Sequence, residues 1–209
     1  VDILIEQFLI DLSLGAIKKG SELNSFFQEY DLNFQYTYYN IISLKILDLN
    51  KQTDQIHKYE TNQYVSSLKN IIHITLNAHN IVYYTFSLSS DVINIVLNSD
   101  GIDTVALVSE NILNNIKTIS GSDVAVAISE CVTDIEHLPI CFNQIEELYS
   151  LIRLKSLNGI VHYSSIEKQI SKKVDYIKEK EKLLLSCLTN AEEDKALNMV
   201  DSIFQPLSE

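Results

Sequence analysis

The chain lacks several features that mark large classes of enzymes. Its 209 residues include no tryptophan, two prolines and five glycines, so we expect long elements joined by Asn, Asp and Ser turns. It has no glycine-rich phosphate loop and no HExxH or GxSxG motif, and its cysteines and histidines lack the spacing of a zinc site. These absences remove most support for the corresponding enzyme classes. We therefore expect no enzymatic activity, no catalytic residue, no bound metal and no cofactor.

Positive charge is also scarce. Sixteen basic residues against 28 acidic residues give a formal net charge of -12, which repels nucleic-acid phosphates and anionic lipid. The apolar stretch at residues 3–14 is interrupted by Glu6 and Asp11, and no run approaches the roughly 20 residues needed to span a bilayer. We expect this region not to bind DNA by itself and not to enter a membrane.

Cysteine usage indicates a reducing compartment. Cys131, Cys141 and Cys187 are an odd number at wide spacing, with no CxxC pair, so they form no disulfide framework. No secretory signal is evident at the start of the sequence. We expect a cytoplasmic protein whose cysteines are chemically inert.

Hydrophobic periodicity predicts an α/β (α+β) fold in three segments. Residues 1–35 form an N-terminal helical segment, residues 36–165 an α/β domain, and residues 166–209 a C-terminal helical hairpin. Within the domain we predict strands at 38–49, 81–88, 92–98, 124–128 and 160–163, and helices at 59–77, 103–120 and 142–157. The predicted order is therefore helices, then β-α-β-β-α-β-α-β, then a helical pair.

The helix at 103–120 has the clearest pattern. Apolar residues recur at spacings of three and four, which gives one stripe facing a core: Val105, Val108, Ile112, Ile116 and Ile119. Asp103 is the candidate N-cap, and Gly121 is the expected stop.

Two carboxylates and a group of tyrosines are the candidates for a binding site. Asp48 ends the first predicted strand, and Asp91 lies in the connection Ser89-Ser90-Asp91 between the next two strands. If those strands are neighbours, the two carboxylates could face one cleft as a divalent-metal pair, whereas carboxylates are also common in turns for local hydrogen bonding. Tyrosines at 36, 38, 39, 83 and 84 would lie on adjacent strands, where packing is the main expectation and base stacking the alternative. We take Asp48, Asp91 and Tyr84 as candidate ligand-binding residues.

Two short segments resemble the GGDEF nucleotide-cyclase domain. Leu47-Asp48-Leu49-Asn50 is placed like the D-x-D region of its first strand, and Leu88-Ser89-Ser90-Asp91-Val92-Ile93 is placed like its L-GGDEF hairpin. Serines replace both glycines, Val92 replaces the following acid, and Asn50 replaces the second aspartate. The resemblance implies a degenerate member of that fold, because the missing acids would hold the metal ions of a cyclase.

A wider pattern resembles the middle region of AraC-type (YesN-like) response regulators. It comprises the segment EQFLIDLSLGAIKKGSEL, the strand ending in LKILDLN, the cyclase-like core and the closing EKEKLLLSCLTNAEEDKALNMVDSIFQPL. The resemblance implies a receiver domain before this region and a helix-turn-helix output domain after it, in the same polypeptide. DNA would then be bound only through that output domain.

These observations favour a regulatory domain that relays a signal or mediates self-association as a homodimer. One alternative is a sensor whose degenerate cleft still binds a nucleotide or another small-molecule effector. Others are a dimerisation module and residual cyclase activity, which would produce cyclic dinucleotide from GTP.

Overall fold

The computed structural model describes residues 2–17, 20–47, 58–79, 81–155 and 159–166. The chain divides into two compact units, Val1–Tyr163 and Ser164–Glu209. The predicted C-terminal helical hairpin lies outside the described residues, apart from its first position. In chain order the described elements are α1 (Asp2–Ser13), α2 (Ser21–Glu29), β1 (Tyr38–Ile46), α3 (Lys58–Asn77), β2 (Val82–Ser89), β3 (Val92–Ser99), α4 (Ile102–Ser120), β4 (Val124–Ile128), a 3-10 turn (Ile135–His137), α5 (Leu138–Lys155) and β5 (Gly159–His162).

The strands form one five-stranded sheet in the order β2-β3-β1-β4-β5. β1 pairs antiparallel with both β3 and β4, while β4 pairs parallel with the edge strand β5. From β1 to β4 this is the split β-α-β arrangement of ferredoxin-like folds, in which each crossover helix joins strands separated by one other strand. The predicted α/β class is confirmed, and so is the predicted order of the elements from the N-terminal helices to β5.

One face of the sheet, which we call the apolar face, packs against α3 and α4. Alternate residues of the strands point to it because side chains change sides at each position. Its core contains Ile42, Leu44 and Ile46 of β1, opposite Ile93, Ile95 and Leu97 of β3, together with residues 68–76 of α3 and 105–116 of α4. This face supplies the main hydrophobic core.

The opposite face, which we call the mixed face, is contacted by α1 and α5. Buried apolar residues such as Ile41 and Val96 alternate there with the polar residues Ser43, Asn94 and Asn98. Both polar atoms of the Asn98 side-chain amide form hydrogen bonds. Its Oδ1 accepts hydrogen bonds from the backbone amides of Gln35 and Tyr36, and its Nδ2 donates to the carbonyl oxygens of Tyr36 and Tyr38.

Five details differ from the sequence predictions. β1 ends at Ile46 instead of residue 49. Gly101, not Asp103, is at the N-cap of α4, and Asp103 lies in the first turn. Ile119 is 68% exposed and leaves the predicted stripe, although the other four positions are buried. α5 begins at Leu138 instead of 142. β3 lies between β1 and β2, so the tyrosines of those two strands are not on adjacent strands.

Candidate functional site

The β2–β3 hairpin places its turn beside the end of β1. Ser90 and Asp91 form the turn, and the backbone amide of Ile46 donates to the carbonyl oxygen of Asp91 at 2.9 Å. Among the described non-glycine residues only Asp31 has a positive φ. The turn is therefore made without left-handed backbone, so Ser89 and Ser90 are accommodated there without glycine.

Asp91 is held by two neighbours. Its Oδ2 lies 3.3 Å from Nζ of Lys45, and its Oδ1 accepts a 2.6 Å hydrogen bond from the hydroxyl of Ser89. Partial burial acts to raise the pKa of Asp91, but the hydrogen bond from Ser89 and the charge of Lys45 outweigh it, so that the pKa is lowered. The carboxylate is consequently charged and engaged within the protein.

Behind Lys45, a chain of hydroxyl and amide groups crosses the interior of the mixed face. The hydroxyl of Tyr149 on α5 donates to Oγ of Ser43 at 2.6 Å, and Ser43 donates in turn to Oδ1 of Asn94. Nζ of Lys45 lies 5.4 Å from the centroid of the Tyr149 ring, within the range of a cation–π contact. Burial raises the pKa of Tyr149, so its hydroxyl remains protonated and able to donate. Asp91 is thus linked to α5 through the side chains of Lys45 and Tyr149.

A pocket of about 360 Å³ lies between α3 and the hairpin, a volume in the lower part of the range of small-molecule sites. Its described lining residues are mostly hydroxyl-bearing, with one cation: Val65, Ser66, Lys69, Ser87, Ser89 and Ser90. Glu6 of α1 reaches the same place. Its Oε1 accepts a 2.9 Å hydrogen bond from the backbone amide of Ser87 and lies 3.8 Å from Nζ of Lys69.

The three predicted ligand-binding residues have different outcomes. Asp48 lies outside the described residues, so its pairing with Asp91 stays a prediction. Asp91 is at the hairpin turn as expected. Tyr84 lies in β2 opposite Val96 and packs edge-on against Phe34 at 5.5 Å between ring centroids, and its part in ligand binding also stays a prediction.

No described group of three or more histidine, cysteine or acidic residues is arranged to hold a metal ion. Cys131 and Cys141 are free thiols, and burial raises the pKa of both, that of Cys141 to about 11. These thiols are therefore poor nucleophiles. Within the described part of the chain, no helix is long and apolar enough to cross a membrane.

Lys45, Lys69 and Glu6 are site residues that the sequence patterns did not predict. Lys45 gave a signal, because it is the one charged residue within the apolar run of β1 and a charge in a buried strand usually has a partner. Lys69 and Glu6 gave none. They lie on the polar sides of helices, where solvent exposure is the ordinary expectation.

Comparisons with known proteins give little further identification. No protein-family model matches the chain, and no curated protein matches it. Among solved structures, the crystal structure of a DGC protein from Thermotoga maritima is similar, with 16% sequence identity and a TM-score of 0.40. The match covers 67% of this chain and 92% of that chain. A likeness this distant assigns neither an activity nor a ligand to the present chain.

Proposed function

We propose that this chain is a non-catalytic regulatory domain of an AraC-type transcription regulator, with a degenerate GGDEF-like sheet. The observation that supports the non-catalytic part of the proposal is the state of Asp91. Its carboxylate is paired with Lys45 and Ser89, and its sequence neighbours are Ser90 and Val92. Two-metal phosphoryl chemistry needs carboxylates directed at the ions, whereas this turn offers one carboxylate that already has a cationic partner.

Turnover of GTP tests the non-catalytic part of the proposal. With GTP and Mg²⁺ in excess, we expect no cyclic dinucleotide from the 209-residue chain, measured by chromatography beside an active cyclase. Lys45→Met releases Asp91 from its cation and should also give no product, because one freed carboxylate does not complete a metal site. Product from the wild type that disappears in Asp91→Asn would overturn the proposal.

The regulatory part depends on the neighbouring domains of the same polypeptide. The coding sequence should continue into a helix-turn-helix domain after Glu209, and in a two-component system a receiver domain should precede Val1. A coding sequence without a helix-turn-helix domain would refute the assignment to AraC-type regulators. In this proposal the protein is a cytoplasmic homodimer that binds DNA only through its output domain. Light scattering that gives a monomer at high protein concentration would refute the dimer.

A second candidate function, compatible with the first, is small-molecule sensing. The pocket beside the hairpin favours it, because Lys69 and four serines line it and such residues can orient polar ligands. A ligand that binds the folded state alone raises the melting temperature. Thermal-shift measurements with nucleotides, Mg²⁺ and sugars test the idea, and a screen without any shift would count heavily against it.

A further inference from the structure

The pocket between α3 and the hairpin is lined by groups of the kind that bind oxyanions. Its donors include the ammonium group of Lys69 and the backbone amide of Ser87, and the hydroxyl-bearing residues Ser66 and Ser90 also line it. None of its described lining residues is acidic, although the whole chain carries a net charge of -12. A cation combined with backbone and hydroxyl donors is the usual set that binds carboxylate or phosphate.

An oxyanion from the protein itself is already present. One oxygen of Glu6, Oε1, both accepts the hydrogen bond from the Ser87 amide and faces Lys69. Glu6 belongs to α1, whereas its two partners belong to β2 and α3. The side chains of Glu6 and Lys69 are each 35% exposed, so solvent screens their ion pair and an added anion can compete with it.

We propose that Glu6 is the internal occupant of an oxyanion site, and that a small molecule bearing a carboxylate or phosphate group displaces it. Binding in the pocket then removes the polar contact that holds α1 to β2 and α3. The position of α1 and the occupancy of the pocket are thereby coupled, and the coupling is reciprocal, as in any linked equilibrium. This inference rests on the proposed sensor function and adds the ligand chemistry and the element that responds.

The carboxylate of Glu6 competes as a tethered group, at the effective concentration set by its attachment to α1. Glu6→Gln removes the negative charge and keeps the length of the side chain. It should therefore tighten the binding of an added anion by about threefold or more, because a competitor is lost. Lys69→Met keeps the apolar stem and removes the cation, and should weaken binding by about tenfold or more, as for loss of a charged hydrogen-bond partner.

The experiment uses the full 209-residue chain with two probes, inorganic pyrophosphate and citrate, at constant ionic strength. Calorimetry gives the affinity for the wild type, Glu6→Gln and Lys69→Met, with circular dichroism confirming that each is folded. Lys117→Met is the matched control, because it removes the same charge from an exposed position in the last turn of α4. Hydrogen exchange of the backbone amides of residues 2–13 reports the attachment of α1.

The proposal expects the anion to accelerate exchange in α1 of the wild type. Glu6→Gln loses the ion pair with Lys69 and retains an acceptor for the Ser87 amide, so it should show part of that faster exchange without any anion. Lys117→Met should bind as the wild type does. Equal affinities for the wild type and Glu6→Gln, or binding without a change in α1, would overturn the proposal. The proposal would also be overturned if neither pyrophosphate nor citrate bound to the wild type. The assignment as a regulatory domain is decided separately, by the flanking coding sequence and by GTP turnover.

Discussion

The two faces of the sheet differ in what their buried groups do. On the apolar face, the residues of β1, β3 and β4 that meet α3 and α4 are almost all aliphatic, and they contribute through removal of apolar surface from water. On the mixed face, buried hydroxyl and amide groups connect the hairpin turn, β1 and α5. The apolar face therefore sets stability, whereas the mixed face specifies which elements are connected to the candidate site.

The strongest test of this comparison is a cavity on the apolar face. Ile112→Ala in α4 removes a fully buried side chain and should lower the free energy of unfolding by about 2–5 kcal/mol. Urea denaturation measures the change. Ile119→Ala on the same helix is the control, because Ile119 is 68% exposed, and its effect should stay within about 0.5 kcal/mol. Similar losses for both variants would contradict the assignment of the core.

Two buried asparagines provide a second test, one on each face. Asn98→Leu on the mixed face leaves the amides of Gln35 and Tyr36 without their acceptor, and should cost about 1–3 kcal/mol. Asn40 lies on the apolar face, is fully buried, and neither polar atom of its side chain has a hydrogen-bond partner within the described residues. Asn40→Leu should therefore stabilise the protein. Denaturation curves that shift in the same direction for both variants would contradict this distinction.

The buried hydroxyl chain gives a smaller effect. Tyr149→Phe removes the donor to Ser43 and keeps the ring under Lys45, so we expect a loss of about 1 kcal/mol. Ser43→Ala combined with Tyr149→Phe removes both partners, and should cost less than the sum of the two single changes. Additive losses measured by denaturation would show that the two hydroxyls act independently.

The smallest expected effect is the pH dependence from Asp91. Because its folded-state pKa is lowered, its contribution is complete above the unfolded value near 3.8 and is lost as the pH falls through the lower folded value. The side chain of Asp91 is 35% exposed, so the Lys45 pair should contribute less than about 1 kcal/mol and weaken with salt. When the pH is lowered below the unfolded value near 3.8, Asp91→Asn should lose less stability than the wild type. An identical acid dependence in thermal denaturation would exclude this contribution.

Local patterns predicted most of the elements but few of the contacts between them. The aliphatic stripe of α4 and the polar connection of the hairpin depend on residues close in sequence, which periodicity reports directly. The Tyr149–Ser43 contact joins residues 106 apart, and the Glu6–Ser87 contact joins residues 81 apart. Such pairs depend on the order of the strands and on the packing of the helices over the sheet. Neither leaves a local pattern in a single sequence.

Capping and helix boundaries were the least accurate predictions. Asp103 has a side chain suited to an N-cap, yet the helix begins one residue earlier and places Gly101 there. Ile119 follows the spacing of the stripe but lies in the last turn of α4, where its side chain is exposed. Tertiary packing decides such positions, so propensity alone does not resolve them.

α1 also protects an edge of the sheet from association with other chains. β2 is an edge strand, and edge strands present unpaired amides that another strand can join. Glu6 takes one of these amides, that of Ser87, and the pairing of β2 with β3 shifts register between Phe86 and Ser89, which further disfavours addition of a flat strand. Displacement of Glu6 would uncover this amide, so we expect the same contact to disfavour edge-to-edge association of the sheet.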